Sequence, residues 1–140
     1  MIEPYLQGYG YETTRYTFSD SNDLASVVTK AVSEVEVIYV PTDNTVANNT
    51  EVVNNICLPA GIPVVASEEG ICAGCGVVTL SISYYDIGYA TGLMAAEILA
   101  EGADVSTMPI QYAPQFVKEY NAANCEALGI TVPEDYIAIE

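Results

Sequence analysis

The chain has 140 residues, half of them hydrophobic, which is the length of one ordinary domain with enough apolar material for a core. Asp and Glu total 19 against Arg15, Lys30 and Lys118, and there is no histidine. A net charge of −16 speaks against nucleic acid and against anionic membrane surfaces, because both are held through Lys and Arg.

No apolar run approaches the ~20 residues of a membrane span. The opening MIEPYLQGYGY has neither a basic region nor an apolar segment, so it does not read as a signal peptide. Residues 1–10, with two glycines and a proline, read as a loop or frayed end. Tyr11–Phe18 (YETTRYTF) is rich in β formers and is expected to be a strand. In the next stretch Leu24, Val27, Val28, Ala31 and Val32 fall on one helical stripe, with Ser21 or Asn22 available as cap. Val35–Val40 then gives a β-branched run that reads as a strand covered on both faces. Pro41 ends its pairing, and Thr42, Asp43 and Asn44 stand at its carboxyl end.

Thr45–Cys57 is expected to be a second helix, weakened by Asn48, Asn49, Asn54 and Asn55 and stopped by Pro59 and Gly61. Ile62–Ala66 reads as a short buried strand, followed by Ser67, Glu68, Glu69 and Gly70. Val77–Ser83 is another strand. It leads through Tyr84, Tyr85 and Asp86 into a helix of about fifteen residues. Asp86 is its expected cap, Gly102 its stop, and Ile87, Ala90, Met94, Ala95, Ile98 and Leu99 its core face. Met108–Gln115 is read as an edge strand, Asn121–Leu128 as a short helix closed by Gly129, and Ile130–Glu140 as a tail. The alternation of strands and helices predicts an α/β fold with a Rossmann-like parallel sheet and flanking helices, residues 1–140 forming one domain.

In open α/β sheets, ligands sit at the carboxyl ends of the strands. Thr42, Asp43 and Asn44 occupy one such end, where Asp43 or Asn44 could equally cap the following helix. Glu68 and Glu69 lie at the end of the next strand, with an exposed acidic turn as their plainer reading. Two successive parallel strands ending in polar residues would place both sets on one rim. A carboxylate there can accept hydrogen bonds from an ammonium or hydroxyl group. Tyr84 and Tyr85 follow a third strand and could stack on a ligand ring or wall the core.

Cys72-Ala-Gly-Cys75 precedes a strand and sits among glycines, unlike a redox pair that opens a helix. A zinc site would want a second pair or histidines, and only Cys57 and Cys125 remain, so all four read as free thiols. Without histidine, a serine or cysteine nucleophile lacks its usual base. No cofactor and no metal is expected. Asn48-Asn49-Thr50 matches the glycosylation triplet, a pattern frequent by chance.

VIYVPTDNTVANN, IPVVASEEG, VVTLSISYYDIGYATGLMAAEILAEG and the closing ALGITVPE occur here in that order. Together they resemble the substrate-binding proteins of ABC importers, in the branch for tryptophan or other aromatic amino acids. The resemblance covers roughly residues 9–136. It implies two Rossmann-like lobes of the type I periplasmic-binding fold, joined by a hinge, with ligand in the cleft and no chemistry performed. It further implies a small-molecule ligand such as an amino acid, an ABC permease as partner, and an extracytoplasmic location. On the matching motifs, Thr42, Asp43 and Asn44 would face the cleft, Glu68 would be the acidic residue, and Tyr84 would lie near the crossover between lobes.

Family members are about twice as long. This chain would carry most of the second lobe, without that lobe's opening strand, and a helix after YYDIG that normally packs on the first lobe. Such an orphan apolar face and the raw sheet edges imply association with a second copy. Two other classes fit the same residues less directly: a ligand-sensing regulatory domain, and a small enzyme using Asp43 and Glu68 as an acid–base pair.

Overall fold

The computed structural model describes residues 2–140. The chain opens with helix α1 (Glu3–Gly8), where a loop was expected; Pro4 near the start and Glu3 in the first turn favour it. Helix α2 (Ser21–Val32) is capped by Asp20, whose side chain accepts from the Asn22 N–H at 2.8 Å, so the cap lies one residue before the expected pair. Strand β1 (Ile38–Val40) follows. The expected single helix over Thr45–Cys57 is broken in two, α3 (Asn44–Ala47) and α4 (Thr50–Cys57). Asn48 and Asn49 form the break, consistent with their weak helix preference.

Strand β2 (Val64–Ala66) leads into helix α5 (Glu69–Cys75), which the sequence reading placed as a turn and loop. Strand β3 (Val78–Ile82) leads into α6 (Tyr84–Glu101), capped by Ser83 rather than Asp86: the hydroxyl accepts from the Asp86 N–H at 3.1 Å. Strand β4 is Phe116–Tyr120, and Met108–Gln115 is irregular. Helix α7 (Ala122–Leu128) begins at an Asn121 cap, and the expected tail contributes a short strand β5 (Ile137–Ala138). Gly102 and Gly129 end α6 and α7 in the left-handed region, at φ of 71° and 66°.

The sheet order is β1-β2-β3-β4-β5. β1, β2 and β3 are parallel neighbours, β4 runs antiparallel to β3, and β5 parallel to β4, so the sheet is mostly parallel rather than wholly so. Tyr11–Phe18 is irregular. β-forming residues cannot make a strand without a neighbour to complete the ladder. Phe18 nonetheless packs against the core, and the Tyr16 hydroxyl donates to Glu34 at 2.7 Å.

One face of the sheet carries the core. Val40, Val64 and Ala66 point into it and meet Leu24 and Val28 of α2, Val46 of α3, Val53 and Cys57 of α4, and Ile71, Cys72 and Cys75 of α5. The other face leaves Tyr39, Leu80 and Phe116 39%, 53% and 66% exposed, so the both-faces-covered expectation for β1 fails on that side. No residue of α6 is buried. Ile87, Ala90, Met94 and Ile98 are half-covered, and the first three share a shallow pocket with residues 111–113. Ala95 is exposed and Leu99 is 86% exposed, so neither belongs to a core face here.

The layer depends on a close helix approach. A Cβ built at Gly74 of α5 would stand 2.2 Å from Thr50 Oγ1 and 2.4 Å from Thr50 Cβ of α4. Only glycine lets the two helices meet there. Gly74→Ala is expected to cost roughly 1–3 kcal/mol by overpacking, measured by urea unfolding. Combining it with Thr50→Gly should recover part of that loss, since the obstructing Cβ is gone.

Candidate ligand-binding site

Because β1, β2 and β3 are parallel, their carboxyl ends lie along one edge of the sheet. Each strand leaves that edge into a helix whose first turn is capped by a side chain: Asp43 for α3, Glu68 for α5, Ser83 for α6. The ends of β1 and β2 are tied directly, with Thr42 Oγ1 and Ser67 Oγ 2.9 Å apart.

The predicted site residues take distinct positions on this edge. Asp43 Oδ1 accepts from the Val46 N–H at 2.9 Å, and no hydrogen bond occupies its second oxygen. Asn44 is the first residue of α3 and its side chain is exposed. Glu68 is half-buried and committed through both oxygens, one to the Gly70 N–H at 3.0 Å and the other to the Ile71 N–H. Tyr84 opens α6 and is 61% exposed. Capping, the plainer reading of Asp43, therefore holds, whereas Glu68, whose plainer reading was an exposed acidic turn, is a half-buried helix cap; a capping carboxylate at a strand end still faces whatever enters there.

Sequence reasoning named Glu69, Tyr84 and Tyr85 but missed Ser81, Ser83 and Glu119 beside them. Glu69, Ser81, Ser83, Tyr84, Tyr85 and Glu119 line a recess of about 410 Å³ beside the β3 end. Glu119 escaped because β4 was placed too early in the chain. The signal was present: in FVKEY, Val117 and Glu119 alternate with Phe116, Lys118 and Tyr120, and the register puts the first pair on the core face.

The four cysteines are buried free thiols. Cys72 and Cys75 lie on α5, which follows β2, not in a loop before β3. Burial pushes Cys57 up to about 11, and burial followed by a neighbouring cysteine pushes Cys72 and Cys75 up to about 12. Cys75 donates to the Ile71 carbonyl and Cys125 to the Val77 carbonyl, each at 3.3 Å. Thiols so placed pack as small hydrophobes and carry almost no thiolate.

A family model for ABC transporter substrate binding proteins matches residues 1–139, and the chain belongs to that family. The family is one of binding proteins, not an enzyme class. A "Tyrosine-binding protein" of Clostridioides difficile (strain R20291) is 30% identical over 109 residues, covering 78% of this chain and 31% of that protein. Among solved structures, the chain is similar to an "ABC domain in complex with L-Trp" from Streptococcus pneumonia, with a TM-score of 0.86 and 27% identity over 99% of this chain and 50% of that one. It is also similar to a ligand-free, open substrate binding protein with adhesive properties from Clostridium difficile, with a TM-score of 0.77, 30% identity and coverage of 99% and 48%. The chain thus spans about half the length of these solved relatives. No helix among the described residues is long and apolar enough to cross a membrane.

With pKa values near 11 and 12, native Cys57, Cys72 and Cys75 should react with Ellman's reagent at pH 8 at least roughly 100-fold slower than an exposed cysteine, and burial should slow Cys125 as well. All four should react at once in denaturant. A fast native phase would contradict the buried, protonated assignment.

Proposed function

We propose that this chain is the solute-binding part of an ABC importer and holds an aromatic amino acid at the carboxyl ends of β1, β2 and β3. Thr42, Asp43, Asn44, Glu68 and Tyr84 are the contact residues in this reading. The observation that carries it is the joining of two parallel strand ends through Thr42 and Ser67, with the free Asp43 oxygen and the exposed Tyr84 ring on the same edge. Asp43 would take a donor on the solute's side chain, Thr42 and Asn44 its polar atoms, and Tyr84 its ring face. Support comes from family membership and from relatives named or solved with tyrosine and tryptophan.

The partners in this reading are an ABC permease and its solute, captured outside the cytoplasm. In the longer relatives the chain corresponds to most of one lobe. The open margin of β1, and a helix α6 with Tyr89, Leu93 and Leu99 more than half exposed, favour association of the isolated chain with a second copy.

Calorimetric titration with a panel of amino acids tests the binding reading. L-tyrosine or L-tryptophan is expected to bind, with Kd on the order of 0.1–10 mM because 140 residues, about half the length of the solved relatives, offer a correspondingly smaller contact surface. Asp43→Asn keeps a capping oxygen and so the fold, and should weaken binding about tenfold or more. Absence of binding to every amino acid, or an unchanged Kd in both Asp43→Asn and Tyr84→Ala, would contradict the assignment. Sedimentation velocity should give a dimer; a compact monomer would refute the pairing.

A further inference from the structure

Three buried polar atoms on β3 and β4 have no hydrogen-bond partner: Thr79 Oγ1, Ser81 Oγ and Glu119 Oε2. They are not scattered. Thr79 and Glu119 stand directly opposite in the antiparallel ladder, and Ser81 lies two residues further along the same face. Ser81 is only 2% exposed, yet it lines the recess beside the β3 end together with Glu119, Glu69, Tyr84 and Tyr85. Leaving such atoms unpaired is costly, and native interiors rarely do so without a partner that fills the space.

We propose that this recess receives the ammonium end of an organic solute, with Ser81 Oγ, Glu119 Oε2 and the Glu69 carboxylate as its acceptors. An ammonium group offers three donors, matching three oxygens. Burial, then the like charge of Glu69, pushes the Glu119 carboxyl above its usual range, so an entering cation would relieve both strains. A divalent metal is disfavoured by the donor set, since it wants six or more oxygens. No group of three or more His, Cys, Asp or Glu suited to a metal occurs among the described residues. At about 410 Å³ the recess exceeds a bare ion, and Ile82, Val117 and the tyrosine rings offer the solute's carbon frame an apolar wall.

The inference deepens the amino-acid reading and rests on it for the identity of the solute, while the recess itself can be probed alone. Thermal unfolding of the full chain in methylammonium chloride is expected to show a saturable Tm rise of roughly 2–4 °C over equal choline chloride, which has no N–H donor. The rise should vanish in Glu119→Gln and shrink in Ser81→Ala. Glu119→Gln should itself melt no lower than the parent in choline, because it removes a desolvated acid. An equal rise in choline or sodium chloride, or one that persists in both variants, would overturn the proposal. Titration with L-tyrosine separates the two claims. Binding that Glu119→Gln leaves untouched overturns the recess and spares the rim. A methylammonium response without any amino-acid binding supports the recess and strikes the rim.

Discussion

The parallel pairing of β1, β2 and β3 is the constraint from which the rest follows. Parallel strands cannot be joined by tight turns, so each must leave the sheet through a helix and return. The three departures fall on one edge, and at each a side chain must satisfy the free N–H groups of the helix that begins there. Asp43, Glu68 and Ser83 do this. The same geometry that demands caps therefore collects acids, hydroxyls and an aromatic ring along one line. In the proposed reading, binding and folding draw on the same residues, so the capping role of Asp43 and Glu68 does not compete with a place in a ligand site.

Behind that edge the α2, α4 and α5 layer holds the strands at one level. Val64 and Ile71 are fully buried, and Gly74 allows α5 to lie directly against Thr50 of α4. Asn121 reaches across from the β4–α7 junction and donates to the Cys72 and Ala73 carbonyls at 3.3 and 2.9 Å, tying down the far end of α5. Asn124, buried beside it, donates to Gly76 O at 3.0 Å and to Asn54 at 3.1 Å. These cross-links fix the carboxyl end of α5 and the entry into β3 against the β4–α7 junction. By contrast, α6 and the open sheet face carry exposed Leu, Tyr and Phe side chains with little packed against them.

Much of this was legible from residue order. The runs IYV, VVA and VTLSI announced β1, β2 and β3, because β-branched residues suit a pleated, covered surface. The Leu24–Val28–Ala31 stripe announced α2. What failed did so for tertiary reasons. Helix α5 was hidden because Gly70 and Gly74 lower helix preference, and Gly74 is required by a neighbour that sequence cannot show. Tyr11–Phe18 has strand propensity but no strand beside it. The apolar periodicity of α6 was real, yet it does not mark a buried face. The rim residues were assigned from strand ends and resemblance; Ser81 and Glu119 escaped notice because their partnership exists only once β4 pairs with β3.

The account assigns solute capture to the edge where the three parallel strands stop. Its most direct test is an amide chemical-shift map of the ¹⁵N-labelled chain titrated with L-tyrosine. The account predicts that saturable shifts gather at the amides of 42–46, 67–71 and 83–86. Shifts gathered instead around α7 and the amino ends of the strands would contradict it.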